Sequence, residues 1–227
     1  SERAPSWTPR CRPRPIPWDR GGAQVNRLVL VNNSHRPLIL LAGEIVTGGK
    51  QDRVVGKDRI VPPHSDPIDV SVFCVEPGRW TERSARFEGL GMQMAQPSVR
   101  ARAMADRDQQ KVWDAVGKAA EAVAAPAAAP EARASSSYAS VMSNDKVQRH
   151  LESGAEPIRR SYESLLRDLR ERKAVGVVVA VGGEIIWADV FASPTLLEKY
   201  WPKLVRSYAA EAVTRPVRSR KLSTAAA

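Results

Sequence analysis

Hydrophobic and polar positions change rhythm near the middle of the chain, and the two rhythms predict two kinds of structure. From Val25 the apolar residues fall in short runs between turn formers: Val25, Leu28 and Leu30, then Asn32-Asn33-Ser34, then Leu38-Ile39-Leu40-Leu41. Similar runs follow at residues 53–55, 59–61 and 68–75, punctuated by Pro62-Pro63 and Asp66-Pro67. Short apolar or alternating runs bounded by Pro, Asn and Asp read as strands joined by tight turns. With no helical stretch between them, they predict an antiparallel sheet, sandwich or partial barrel rather than βαβ units.

The second half carries longer, helical periods. Residues 103–123 are rich in helix formers, with Val112, Trp113 and Val116 on one face. Between 156 and 172, Ile158, Tyr162, Leu165, Leu166 and Leu169 fall at i, i+4, i+7, i+8 and i+11, the stripe of an amphipathic helix. Residues 174–181 and 184–191 flank Gly182-Gly183, the two-residue spacing of a β-hairpin. Ser193 and Pro194 open a last helix, with Leu197, Tyr200, Trp201, Leu204, Val205 and Tyr208 on its buried face. Between these helices lies an alanine-rich stretch interrupted by Pro126 and Pro130 and followed by Ser135-Ser136-Ser137. The prolines and serines predict a mobile loop near 119–142. The whole predicts one α+β domain over residues 25–212: an antiparallel β-rich first half packed with helices and a β-hairpin from the second.

Composition and charge narrow the classes of function. Hydrophobic residues make up 43% and charged residues 26% of 227, ordinary values for a globular domain. The apolar runs at 37–43 and 174–181 are too short to span a bilayer. The net charge of +10 points first to nucleic acid, but its distribution argues against that. Residues 1–20 carry net +3 and residues 214–227 net +4, leaving only +3 on the body between. A Pro- and Arg-rich arm (1–24) and a basic tail (213–227) therefore flank a nearly balanced domain, and the tail holds no aromatic able to stack on bases. The tails suit an acidic protein partner better.

Two cysteines, Cys11 and Cys74, make neither a disulfide framework nor a zinc site, though a bridge between them stays open. His35, His64 and His150 are scattered without metal-ligand spacing, so neither a metal nor another cofactor is expected. The chain starts at Ser1 with no apolar signal segment. A cytoplasmic location is the default, with a processed or truncated N-terminus left open.

Two clusters could carry chemistry. Gly43-Glu44 is followed by Gly48-Gly49-Lys50-Gln51-Asp52-Arg53. Glycines let backbone amides approach an anion, and Lys and Arg supply charge, so this reads as a phosphate cradle. It is not a Walker loop, because the Lys comes one residue late and Gln51 stands where Ser or Thr should follow. A Gly-Gly hairpin turn with a solvated basic rim is the plainer reading. The second cluster is Cys74-Val75-Glu76-Pro77-Gly78-Arg79-Trp80. Its Cys-to-Arg spacing is one short of a cysteine phosphatase loop, and Cys74 continues the even spacing of Ile68, Val70 and Val72 as an inward strand residue. If adjacent strands brought Glu44 and Glu76 together, one of them would serve as a general acid or base. Trp113, Trp187, Trp201 and Tyr208 share faces with Leu and Val and read as core, while Asp189 is either outward-facing or the partner of an Arg.

In this order, the segments 38–44, 48–53 and 74–80 resemble a bacterial domain family of unestablished activity, the ADP-ribosylglycohydrolase and rhodanese/phosphatase-associated domain, first type. Asp108-Gln109, Val112-Trp113, Phe191, Ser193-Pro194, Trp201-Pro202-Lys203-Leu204 and Ser207-Tyr208-Ala209 are similar to it too. Residues 1–24 depart from the strand-forming sequence usual before this point. The resemblance implies a role near NAD or ADP-ribose metabolism and marks Glu44, Lys50, Gln51, Arg53, Glu76, Arg79, Trp80 and Gln109 as polar candidates. On that reading Lys50, Arg53 and Arg79 hold phosphates of a nucleotide such as ADP-ribose. Trp80 stacks on the base, Gln51 orients the ligand, and Glu44 or Glu76 acts as acid or base in a hydrolase. The competing class is a non-catalytic interaction module that engages a partner through its basic tails.

Overall fold

The computed structural model describes residues 26–78, Ser84 and residues 87–215, and these form an α+β fold. Seven strands come from the first half: β1 (Arg27–Leu30), β2 (Leu38–Leu40), β3 (Glu44–Gly48), β4 (Arg53–Val55), β5 (Arg59–Val61), β6 (Ile68–Cys74) and β7 (Phe87–Met94). Five of them make an antiparallel sheet in the order β1-β6-β4-β3-β7, and β2 pairs β5 separately. The registers Val46↔Arg53 and Arg53↔Cys74 set the rows of the sheet. Side chains alternate across it. Ile45, Val54, Phe73 and Val75 face the helices in the main core, whereas Val55, Val70 and Val72 meet Leu28, Leu30 and Leu40 on the other face.

The helices are α1 (Pro97–Ala101), a π turn over Arg102–Asp106, α2 (Gln109–Ala124), α3 (Pro130–Arg133), α4 (Tyr138–Ser143), α5 (Asp145–Glu171) and α6 (Pro194–Thr214). Arg107, at φ 52°, ends the π turn. The Asp108 carboxylate then caps α2 by accepting from the Gln110 and Lys111 amides at 2.8 and 3.1 Å. Val112, Val116, Ala119 and Val123 repeat at i, i+4, i+7 and i+11 and are buried against the sheet. α5 starts at Asp145 under an Asn144 cap, eleven residues before the predicted start, and runs through Pro157. β8 (Gly176–Val181) and β9 (Glu184–Val190) form the predicted hairpin, and Ser193 caps α6. Along α6, Leu197, Trp201, Leu204, Val205 and Tyr208 are buried. Each such side chain contributes about 1.5–3 kcal/mol by leaving water.

The alanine-rich segment corrects the prediction. In place of a mobile loop at 119–142, α2 continues to Ala124 and α3 and α4 follow, with Ala129, Ala132, Tyr138, Ala139, Val141 and Met142 buried in the main core. The loop signals are helix starts. Pro130 occupies the first turn of α3, and Ser137 caps α4 by accepting from the Ser140 amide at 3.1 Å. Alanine lets these short helices lie flush on their neighbours. No described helix is long and apolar enough to cross a membrane.

Candidate functional site

Two polar clusters stand out, at opposite ends of the sheet's strands. The first lies where the turn after β3 meets the end of β6. Extending the Arg53↔Cys74 register by two residues places Gln51 beside Glu76, so Gln51, Arg53, Cys74 and Glu76 share one face of the sheet. All four are buried. The Gln51 amide nitrogen donates to the Glu76 carbonyl at 3.1 Å, and the Asp52 backbone amide donates to the Glu76 carboxylate at 3.2 Å. Arg53 donates one guanidinium nitrogen to the carbonyls of Gln51 and Asp52 at 2.8 and 3.2 Å. Asp52 points to the opposite side, accepting from the Gly48 amide at 3.2 Å and the Ser137 hydroxyl at 3.0 Å. Gly49 holds φ 51°, and a Cβ there would sit 2.5 Å from the Phe87 ring, so the turn favours glycine. Lys50 is exposed on this turn. The Gln51 carboxamide oxygen is buried with no hydrogen-bond partner among the described residues, an open acceptor in an otherwise bonded cluster.

Gln109 supports this cluster from behind. Its side chain accepts from the Cys74 amide at 2.9 Å and donates to the Cys74 carbonyl at 2.8 Å, replacing a strand partner at the end of β6. Cys74 is a free, fully buried thiol. That is the packing role its spacing predicts, without the access a nucleophile needs.

The second cluster surrounds Glu44 and Asp189. Arg100 of α1 forms a two-pronged pair with Asp189 of β9 at 2.7 and 2.9 Å. The same carboxylate accepts from the Tyr208 hydroxyl at 2.6 Å and the Trp187 indole at 2.9 Å. Arg100 also donates to the Ala42 carbonyl at 3.2 Å, stacks over Trp187 at 4.7 Å and crosses Gly43, where a Cβ would come within 2.5 Å of it. Nearby, Lys203 of α6 pairs with Glu44 at 2.8 Å, with both side chains mostly buried. Burial pushes the Glu44 carboxyl above its usual range, and Lys203 opposes this without reversing it. Burial also raises Asp189, but the bonds from Arg100, Tyr208 and Trp187 outweigh it and hold that carboxyl below its usual range. Burial, with Asp189 alongside, pushes the Tyr208 hydroxyl well up, so it stays protonated as a donor.

The sheet therefore gathers Gln51, Arg53, Glu76 and Gln109 with Lys50 on the rim, and leaves Glu44 apart. Glu44 lies level with Val55 and Val72, four residues along the strands from the Glu76 row and two strands across, or about 16 Å away. The two carboxylates do not form an acid-base pair, because each sits at a different end of the same sheet face. Arg79 and Trp80 lie outside the described residues. Sequence reasoning missed Arg100, Lys203 and Ser137 as parts of these clusters. Lys203 carried a signal, since a lysine between buried Trp201 and Leu204 needs an anion, whereas the reach of Arg100 to Asp189 spans eighty-nine residues with no local trace. Among the described residues no group of His, Cys, Asp and Glu could hold a metal ion.

The segments that build both clusters are those of one domain family. A model of the ARG and Rhodanese-Phosphatase-superfamily-associated Protein domain, ARPP-1, matches residues 19–227. The chain belongs to the ARPP-1 family. No curated protein and no solved structure matches it significantly. The ARPP-1 match covers the sheet, both polar clusters and α6, so the geometry above describes the domain itself.

Proposed function

We propose that this ARPP-1 domain binds a phosphate-bearing nucleotide of the ADP-ribose type at the turn formed by residues 48–53 and the end of β6. The observation that carries the reading is the junction of Gln51 and Arg53 with Glu76, twenty-five residues from Gln51, around a buried Gln51 carbonyl oxygen unanswered among the described residues. A ribose hydroxyl or an adenine amino group is the donor such an acceptor takes. Lys50 on the same turn supplies the charge for phosphate, while Arg53 stiffens the turn through its own carbonyls. The family's name, which records association with ADP-ribosylglycohydrolase (ARG) and phosphatase superfamilies, agrees in ligand class. With Glu44 and Glu76 apart, the reading is one of binding rather than two-carboxylate hydrolysis.

Calorimetric titration with ADP-ribose, NAD and AMP tests it. We expect saturable binding of ADP-ribose, weakened about tenfold or more by Lys50→Ala and by Gln51→Leu, each loss being that of one hydrogen bond to a charged or buried group. Absence of binding by all three, in protein whose near-ultraviolet dichroism shows it folded, overturns the reading. The competing class, an interaction module, is favoured by a different observation, the uncovered apolar face of the β8–β9 hairpin. The basic tails, the contact expected for it from sequence, lie almost wholly outside the described residues.

A further inference from the structure

The hairpin is the part of the fold with the most unfinished chemistry. Its inner face, with Val177, Val179 and Trp187, packs on the cluster built around α6. Its outer face holds Val178, Ala180, Ile185, Ala188 and Val190, with Val178, Ile185 and Val190 exposed at 65%, 75% and 78%. Among the described residues neither strand pairs with a third, and beyond their mutual ladder no backbone hydrogen bond reaches residues 176–181 from another described element. Native sheets protect open edges with charges, prolines or bulges. β9 has such protection: an extra residue between its Trp187 and Ile185 pairings, and the acids Glu184 and Asp189. β8, Gly-Val-Val-Val-Ala-Val, has none.

We propose that the free edge of β8 is a docking site for an extended segment of a partner protein, one with alternating apolar residues and an acidic C-terminal end. The inference rests on the interaction-module reading and shares no residue with the nucleotide site. Added strands gain affinity from main-chain hydrogen bonds and specificity from alternate side chains. Val178 and Ala180 face outward beside Ile185 and Ala188, so the segment's outward residues must be apolar to pair with them. Its polarity follows from charge. Arg172 and Lys173, both exposed, immediately precede β8, and an antiparallel segment ends beside them. A second copy of this chain is a poorer occupant. The outer face measures roughly 20 by 10 Å, about 200 Å² per copy, against about 800 Å² per partner in a stable complex.

The test uses the full chain and a synthetic nine-residue peptide of alternating valine and threonine closed by two glutamates, with amide exchange read residue by residue. The expected result is at least fivefold slower exchange in β8 on adding the peptide, and at least tenfold weaker binding when two lysines replace the glutamates. Val178→Lys and, separately, Ala180→Lys should abolish the protection while leaving the melting temperature within a few degrees. Unchanged exchange in β8 at saturating peptide, or protection only elsewhere, overturns both this inference and the interaction reading of the hairpin. If sedimentation shows a dimer that Val178→Lys dissociates, the hairpin is an interface but the occupant is a second copy, and only the partner assignment fails.

Discussion

Asp189 gathers four hydrogen bonds on one carboxylate that is 12% exposed, and through it α1, α6 and the hairpin meet. Glu44, about as buried, has one strong partner, Lys203. The two carboxyls are displaced in opposite directions, so they couple to pH with opposite signs. Asp189 binds its proton less tightly folded than unfolded; the stability it contributes is complete above the unfolded value near 4 and is lost as pH falls through the folded value. Glu44 binds its proton more tightly folded; its contribution is greatest below the unfolded value and declines as pH rises through the folded one. Denaturant unfolding between pH 3 and 8 separates them. The wild-type advantage over Asp189→Asn should reach about 2 kcal/mol at neutral pH and shrink toward pH 3. The advantage over Glu44→Gln should shrink in the other direction, as pH rises from 4 to 7. Parallel slopes for the two variants would refute the assignment.

At the scale of elements, the segment from Ala119 to Ser143 shows how far local pattern reaches. Alanine is apolar enough for a core and small enough for a surface, so its spacing says little about which side of a helix is buried. Pro130 and Ser137 are breakers when read singly and helix starts when read together with the residues after them. Whereas β3 and β7 were not read as strands, the hairpin and β1, β2, β4, β5 and β6 were legible because their periods are short and their turns carry Gly and Pro. The first half of α5 was not, because Pro157 falls where its sequence pattern begins to show. The packing of α3 makes a prediction that a loop would not. Ala132 is buried, so Ala132→Leu should cost about 1–3 kcal/mol by overpacking. Ala125, exposed at the end of α2, should accept leucine within about 0.5 kcal/mol. Equal, small effects at both positions in a thermal melt would mean that α3 is not docked as described.

Across the whole molecule, α6 ties the halves together by contacts that no local pattern contains. Tyr200 donates to the Ile39 carbonyl at 3.2 Å and Ser207 to the Ala95 carbonyl at 2.8 Å. Buried Glu211 accepts from the Ser98 amide at 2.9 Å and from Gln96 at 3.2 Å. With Lys203 on Glu44 and Tyr208 on Asp189, one helix reaches β2, β3, the start of α1 and the hairpin. This explains why the site was only partly readable. The turn 48–53 and Glu76 could be named from glycines and charges, but their partners and the distance from Glu44 depend on register, which spacing alone does not set. It also implies that the described fold unfolds as one cooperative unit, although its sheet and its helices come from different halves of the sequence. Leu204→Ala, at a fully buried position in α6, should cost about 2–5 kcal/mol. Because α6 touches both halves, tryptophan fluorescence and far-ultraviolet dichroism should then shift together to lower denaturant, with superimposable curves. Separated curves, with the β-rich signal retained after the helical signal is lost, would show the sheet to be stable without α6 and would contradict the central place assigned to it.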